Sequence, residues 1–264
     1  MNQSCNCNHY TTVGAAACGC TGGCPQPCPC PAPEPECPPR VEPADVNCGC
    51  DCAPGLTAAL QLLCDPRLSP LIDYTQFAFI TRNFILGTSL CCCTLSAAGY
   101  DNLTGPLEAS FVRFLPDSCE RLEVAGQLYY PIPVCDDTAC CAAGLPFPAE
   151  QISLCALTAV AFTVLTGATP EETADSYQQA KRVFWQATHG GCVSGAETAL
   201  PTRPTPCDAA VGGISGRRSA ALAAGPLLIA NAAVLGNIGS VLILANDSQN
   251  RFYFVCENEA DIIG

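Results

Sequence analysis

The sequence predicts an α+β fold: a β-rich core with two or three helices behind a disordered Cys/Pro-rich N-terminal arm. Three observations predict it. Residues 1–52 hold 11 of the 23 cysteines and nine prolines, with almost no large apolar residue. Downstream, short runs of β-branched and aromatic residues alternate with turn residues. One stretch, Thr169-Pro170-Glu171-Glu172, carries a helix start signal. The domain division that follows is an arm over 1–52 and a globular core over 53–264, with a possible sub-boundary near 166–170.

The arm cannot bury enough apolar surface to order itself. Its prolines, from Pro25 to Pro43, fix φ and remove N–H donors, which favours extended polyproline-II backbone. After it, Pro54–Cys64 reads as a short helix with Leu56, Leu60 and Leu63 on one stripe. Ile72–Leu90 reads as two strands broken near Arg82–Asn83. Phe111–Leu115 is a third strand. Leu122–Val134 is expected to be a hairpin turning at Ala125–Gly126, with Pro131 and Pro133 placing its second strand at an edge.

Pro148–Leu165 is apolar nearly all round and is expected to be a buried helix capped near Gly167. The capping box at Thr169 starts a helix to about His189, stopped by Gly190–Gly191. Gly191–Arg218 reads as loop. Leu227–Ala230, Val234–Leu235 and Val241–Ala245 read as buried strands, and Arg251–Cys256 pairs back across a turn at Asn246–Asn250.

Composition narrows the function. Net charge is −13, the pI is about 4.3 and Lys181 is the one lysine, so neither nucleic acid nor an anionic membrane is expected as a partner. Only 13% of residues are charged, a surface suited to close packing against other subunits. No segment reads as a membrane span: Ile152–Leu165 is short and Ala220–Ala245 is interrupted by Gly225, Pro226, Gly236 and Gly239. Met1–Tyr10 has neither the basic nor the apolar region of a secretory signal, so synthesis in a cytoplasm is expected despite the cysteine excess.

Cysteine spacing carries the chemistry. In the arm Cys-x-Cys occurs at 5/7, 18/20, 28/30, 48/50 and 50/52; the core has adjacent pairs at 91/92, 92/93 and 140/141, and Cys-x-x-Cys occurs nowhere. The missing two-residue gap weighs against zinc ribbons and thioredoxin-like sites. Cys-x-Cys suits a Zn or Cu thiolate cluster, the alternative reading, but the intervening prolines oppose a chain wrapped round metal. Close-spaced cysteines seldom bond each other, and 23 is odd, so bonds between chains are expected. The candidates are Cys5, Cys7, Cys18, Cys20, Cys24, Cys28, Cys30, Cys37, Cys48, Cys50, Cys52, Cys91, Cys92, Cys93, Cys140 and Cys141. Cys64, Cys155 and Cys256 lie in apolar runs and are expected to be buried core residues.

No cofactor or metal is expected, and no enzyme. His189-Gly190-Gly191-Cys192 places a base near a thiol, the third reading, but His189 in the last helical turn fits a capping role better. Asp136–Asp137 beside Cys140–Cys141 reads as a solvated loop.

The Cys-x-Cys arm and Leu90-Cys91-Cys92-Cys93-Thr94-Leu95 resemble the cysteine-rich spore coat and exosporium structural proteins of endospore-forming bacteria. The proline-rich arm and the long core depart from the small members of that group. The resemblance implies synthesis in the mother cell, then self-assembly and disulfide cross-linking at the spore surface. The implied partners are further copies of the chain and other cysteine-rich coat proteins.

Overall fold

The computed structural model describes residues 39–44, 50–90, 100–115, 121–129, 145–190 and 219–262. Of the expected disordered arm, 1–52, residues 1–38 and 45–49 lie outside them, as does the expected loop 191–218. What is described is mostly β rather than α+β: a twelve-stranded antiparallel sheet and two α-helices. The strands are β1 (Ile72–Thr81), β2 (Ile85–Leu86), β3 (Tyr100–Asp101), β4 (Ser110–Phe114), β5 (Arg121–Tyr129), β6 (Leu145–Ser153), β7 (Leu157–Val164), β8 (Ser219–Ala224), β9 (Leu227–Ile238), β10 (Val241–Asn246), β11 (Arg251–Cys256) and β12 (Ala260–Ile262). The helices are α1 (Ala53–Leu62) and α2 (Pro170–His189).

The sheet runs β12-β8-β9-β10-β11-β7-β1-β2-β5-β4, with β6 paired to β5 and β3 to β9. Beside β2, a bridge between Phe77 and Ala109 links β1 to the start of β4. Its N–H···O bonds are 2.8 and 2.9 Å.

The stretch expected as a helix over Pro148–Leu165 is instead the end of β6, one turn of 3-10 helix at Leu154–Ala156, and β7. The reason lies in the layers. Every residue of β10 and β11 is buried, as is nearly all of β7, because successive side chains enter different cores. Phe77, Phe79, Val160, Phe162, Ile243, Phe252 and Phe254 face the helices. Ala78, Ile80, Ala159, Ala161, Leu242, Leu244, Tyr253 and Val255 face β8 and the first half of β9. A strand apolar on both faces has no alternation to read, so it imitates a buried helix. The large rings gather on the helix side: Phe162 lies 4.9 Å from Phe254, 5.4 Å from Phe77 and 5.8 Å from Phe252, ring centre to centre.

The hairpin expected at Ala125–Gly126 is also absent, since β5 runs straight through. Its pairing with β6 shifts register between Val124 and Gly126, so the glycine marks a bulge rather than a turn. The expected strands Leu227–Ala230 and Val234–Leu235 are one strand, β9, kinked at Asn231 (φ 64°). The β10–β11 hairpin holds, and so does the two-strand reading of Ile72–Leu90, except that the second strand already ends at Leu86.

α2 begins as its residues dictate. Thr169 Oγ1 accepts the Glu172 N–H at 3.2 Å, and the Glu172 carboxylate accepts the Thr169 N–H at 3.3 Å. Its C-terminal end sits tightly on β9. A Cβ on Gly236 would lie 2.5 Å from Thr188 Oγ1, and Gly236 has φ +128°, so glycine is required there. Thr188 Oγ1 donates to Leu235 O at 2.7 Å across the same contact. Among the described residues, no helix is long and apolar enough to cross a membrane, and Ala220–Ala245 is strand and turn.

Candidate functional site

The feature that bears on function is the root of the cysteine-rich segment and how it is fastened to the sheet. Residues 39–44 lie along one end of the core. The Val41 N–H donates to Ala187 O at 2.6 Å and the Ala44 N–H to Pro54 O at 3.1 Å. Arg40 Nη2 donates to Asn237 O at 3.3 Å. Val41 and Ala44 pack on the helix-side core. The segment thus bridges the end of α2, the β9–β10 turn and the start of α1.

α1 follows at once. Pro54 sits in its first turn, where a missing N–H costs nothing. Cys52 holds the N-cap position without a side-chain cap, because its sulfur is committed elsewhere. Gly55 lets the helix rest against Ile238 O and Val241; a Cβ there would collide with the carbonyl.

Two disulfides complete the fastening. Cys50 bonds Cys155, in the 3-10 turn between β6 and β7, and Cys52 bonds Cys256, the last residue of β11. Both pairs have Cα atoms 5.8 Å apart, inside the usual range. They differ in exposure. Cys52 and Cys256 are 8% and 1% exposed, whereas Cys50 is half-buried and Cys155 exposed. The Cys155 turn is held by its own N–H, which donates to Ser153 Oγ at 3.2 Å. Ser240 Oγ donates to Asp51 O at 2.8 Å, tying down the residue between the two bonded cysteines.

This corrects two assignments. Cys50 and Cys52, expected among the inter-chain candidates, are paired inside the chain, because α1 sets Cys50-Asp51-Cys52 against the ends of β7 and β11. Cys155 is not a buried core residue but an exposed disulfide partner, and Cys64 is half-buried; Cys256 is buried as expected, although bonded. Cys5, Cys7, Cys18, Cys20, Cys24, Cys28, Cys30, Cys37, Cys48, Cys91, Cys92, Cys93, Cys140 and Cys141 lie outside the described residues, as do Asp136, Asp137 and Cys192. His189 stacks on Trp185 with ring centres 4.6 Å apart, and its Nδ1 lies 2.9 Å from Thr188 Oγ1.

Two charge clusters were not legible in the sequence, one fully buried and one whose carboxylate, Asp247, is open to solvent. The Asp101 carboxylate, with a fully buried side chain, accepts from Arg251 Nη1 at 2.6 and 2.7 Å, from the Leu103 N–H at 3.0 Å, and from Tyr253 Oη. It couples β3 to β11. Burial, reinforced by the Asp101 charge, pushes the Tyr253 phenol well above its ordinary range. On the helix side, Lys181 Nζ donates to both Asp247 oxygens at 2.7 and 2.9 Å, and Tyr177 Oη donates to the same carboxylate at 2.8 Å. That clips α2 to the β10–β11 turn and, with burial leading, raises the Tyr177 pKa far above 10. Among the described residues, no three His, Cys, Asp or Glu gather where they could hold a metal ion. The clusters have no signal in the sequence because each carboxylate lies 66 to 152 residues from the side chains that bond it.

A family model described as spore coat protein CotA-like matches residues 50–264. The spore coat protein CotA of Clostridioides difficile (strain 630) is 42% identical over 85 residues, which are 32% of this chain and 28% of that protein. The chain therefore matches under a third of the length of that curated relative. No solved structure matches the chain. The family match begins at Cys50, the residue bonded to Cys155.

Proposed function

The chain belongs to the spore coat protein CotA-like family, and from that premise we propose that it is a self-assembling structural component of a spore outer layer, joined to its neighbours by disulfides. A structural role in the spore coat follows from the family itself. The finer reading divides the labour: a rigid β body, and an N-terminal cysteine segment that reaches other copies and other cysteine-rich coat proteins.

The observation that carries this reading is the fastened root. A segment that serves as a cross-link must pass load to a folded body, and residues 50–52 are bonded covalently to β11 and to the turn before β7. Without those bonds the pull would pass through the backbone into the start of α1 alone. Internal disulfides also support an oxidising working environment, where further thiols close into bonds. The sheet that receives the load is buried on both faces at β7, β10 and β11.

The test is oxidation of the purified full chain at mildly alkaline pH, where thiolates attack fastest. The expected result on a non-reducing gel is a ladder that reductant collapses to monomer, and that shrinks when Cys5 to Cys48 are replaced by serine. A chain that stays monomeric with all but one of its 23 cysteines paired internally would overturn the reading. Several tightly held Zn or Cu ions per chain after purification in reductant would turn it toward a thiolate metal site.

A further inference from the structure

The geometry points to the Cys50–Cys155 disulfide as a thiol-exchange site: it accepts a cysteine thiolate from a second copy of this chain, while Cys52–Cys256 remains closed. The inference rests on the cross-linking reading above and gives it a receiving site on the folded body.

The two bonds are built from the same short stretch of chain, yet only one is open to a reagent. Exchange requires a thiolate to approach along the S–S axis, so access decides the rate between two otherwise similar bonds. Cys256 is 1% exposed beneath α1 and Cys52 is 8% exposed, whereas Cys155 is exposed and Cys50 half-buried. The Cys155 turn stays in place through the bond from its N–H to Ser153 Oγ and through the strands on either side. Attack there need not disturb the sheet.

The step balances without an oxidant. The incoming thiolate sulfur attacks Cys155 Sγ and forms a new S–S bond between the two chains. The Cys50–Cys155 bond breaks, and Cys50 leaves with the electron pair as a thiolate. One disulfide and one thiolate exist before and after. The released Cys50 lies in the run Cys48-Gly49-Cys50-Asp51-Cys52, beside the rest of the cysteine segment, and is then available for a further bond. The body remains anchored by Cys52–Cys256. A chain that arrives folded with its own disulfide thus brings the oxidising equivalent for its first cross-link. Because each copy carries a net charge of −13, encounter of two copies is opposed by like charge, and added salt should speed the exchange.

The experiment has two arms. In the first, the oxidised full chain is treated with limiting glutathione, quenched, and its thiols are tagged and mapped by mass spectrometry. Cys50 and Cys155 should open at least about tenfold faster than Cys52 and Cys256 in the folded protein, and at similar rates in denaturant. Equal opening of both pairs in the folded protein would overturn the proposal. In the second arm, isotopically heavy and light copies are mixed without oxidant, and cross-linked peptides are sought. A heavy–light bond at Cys155, lost in a Cys50→Ser/Cys155→Ser variant, is the expected result. Heavy–light bonds that all avoid Cys155 would overturn this site and leave the cross-linking function standing. An absence of any heavy–light bond, together with monomeric oxidised protein, would sink the function as well, while the glutathione arm still reports on the site.

Discussion

Removing the two disulfides separately should reveal how the anchored root supports the fold. The perturbations are Cys52→Ala/Cys256→Ala and Cys50→Ala/Cys155→Ala in the full chain, with the remaining thiols blocked after the native bonds have formed. The bonded residues are 204 and 105 apart in sequence. Loop-closure entropy then gives about 5 kcal/mol for either bond, the longer loop exceeding the shorter by only about 0.6 kcal/mol. The larger difference comes from burial. Each sulfur removed from the sites of Cys52 and Cys256 leaves a void worth about 1 kcal/mol, a cost the exposed Cys155 site does not incur. The buried pair should therefore cost about 2–3 kcal/mol more than the exposed pair. A domain of this size commonly has about 5–15 kcal/mol in total, so losing the buried bond brings the chain close to unfolding. Guanidinium titration followed by the fluorescence of Trp185, the single tryptophan, measures both variants. The reasoning is refuted if the exposed pair costs more, or if the buried pair costs under about 1 kcal/mol.

Asp101→Ala strands Arg251 in the interior and should cost about 3–5 kcal/mol by chemical denaturation, whereas Asp101→Leu with Arg251→Met should cost clearly less; equal losses would show that the pair is not the issue. Tyr177 and Tyr253 have folded pKa values raised above 10.0, so the stabilisation is whole below pH 10 and declines as pH rises beyond it, because only the unfolded chain gives up those protons. Each contributes a slope of about 1.4 kcal/mol per pH unit, and substituting both by Phe should flatten the alkaline limb of a stability–pH curve measured with thiols blocked. Lys181, 6% exposed and paired with Asp247, should react with an amine-directed acetylating reagent far more slowly in the folded chain than in urea; mass spectrometry would show comparable rates if the clip does not form.

Elements whose signals are local could be read from the chain alone. α2 was legible because a capping box satisfies its N-terminal donors within four residues, and Gly190 ends it. The β10–β11 hairpin was legible because two apolar runs flank one polar turn. The affiliation with spore coat proteins was legible in composition, since cysteine spacing is itself a sequence property. The remaining elements depend on contacts between distant segments. Leu157–Val164 reads equally well as a buried helix until two cores, one on each side, claim alternate side chains. Gly126 reads as a turn until β4 and β6 hold β5 straight on both edges. Cys50 and Cys52 read as arm residues until α1 carries them to Cys155 and Cys256, partners 105 and 204 residues away. Pairings of that range leave no periodicity in the chain, because the free energy that selects them comes from burial of the whole sheet rather than from any neighbouring residue.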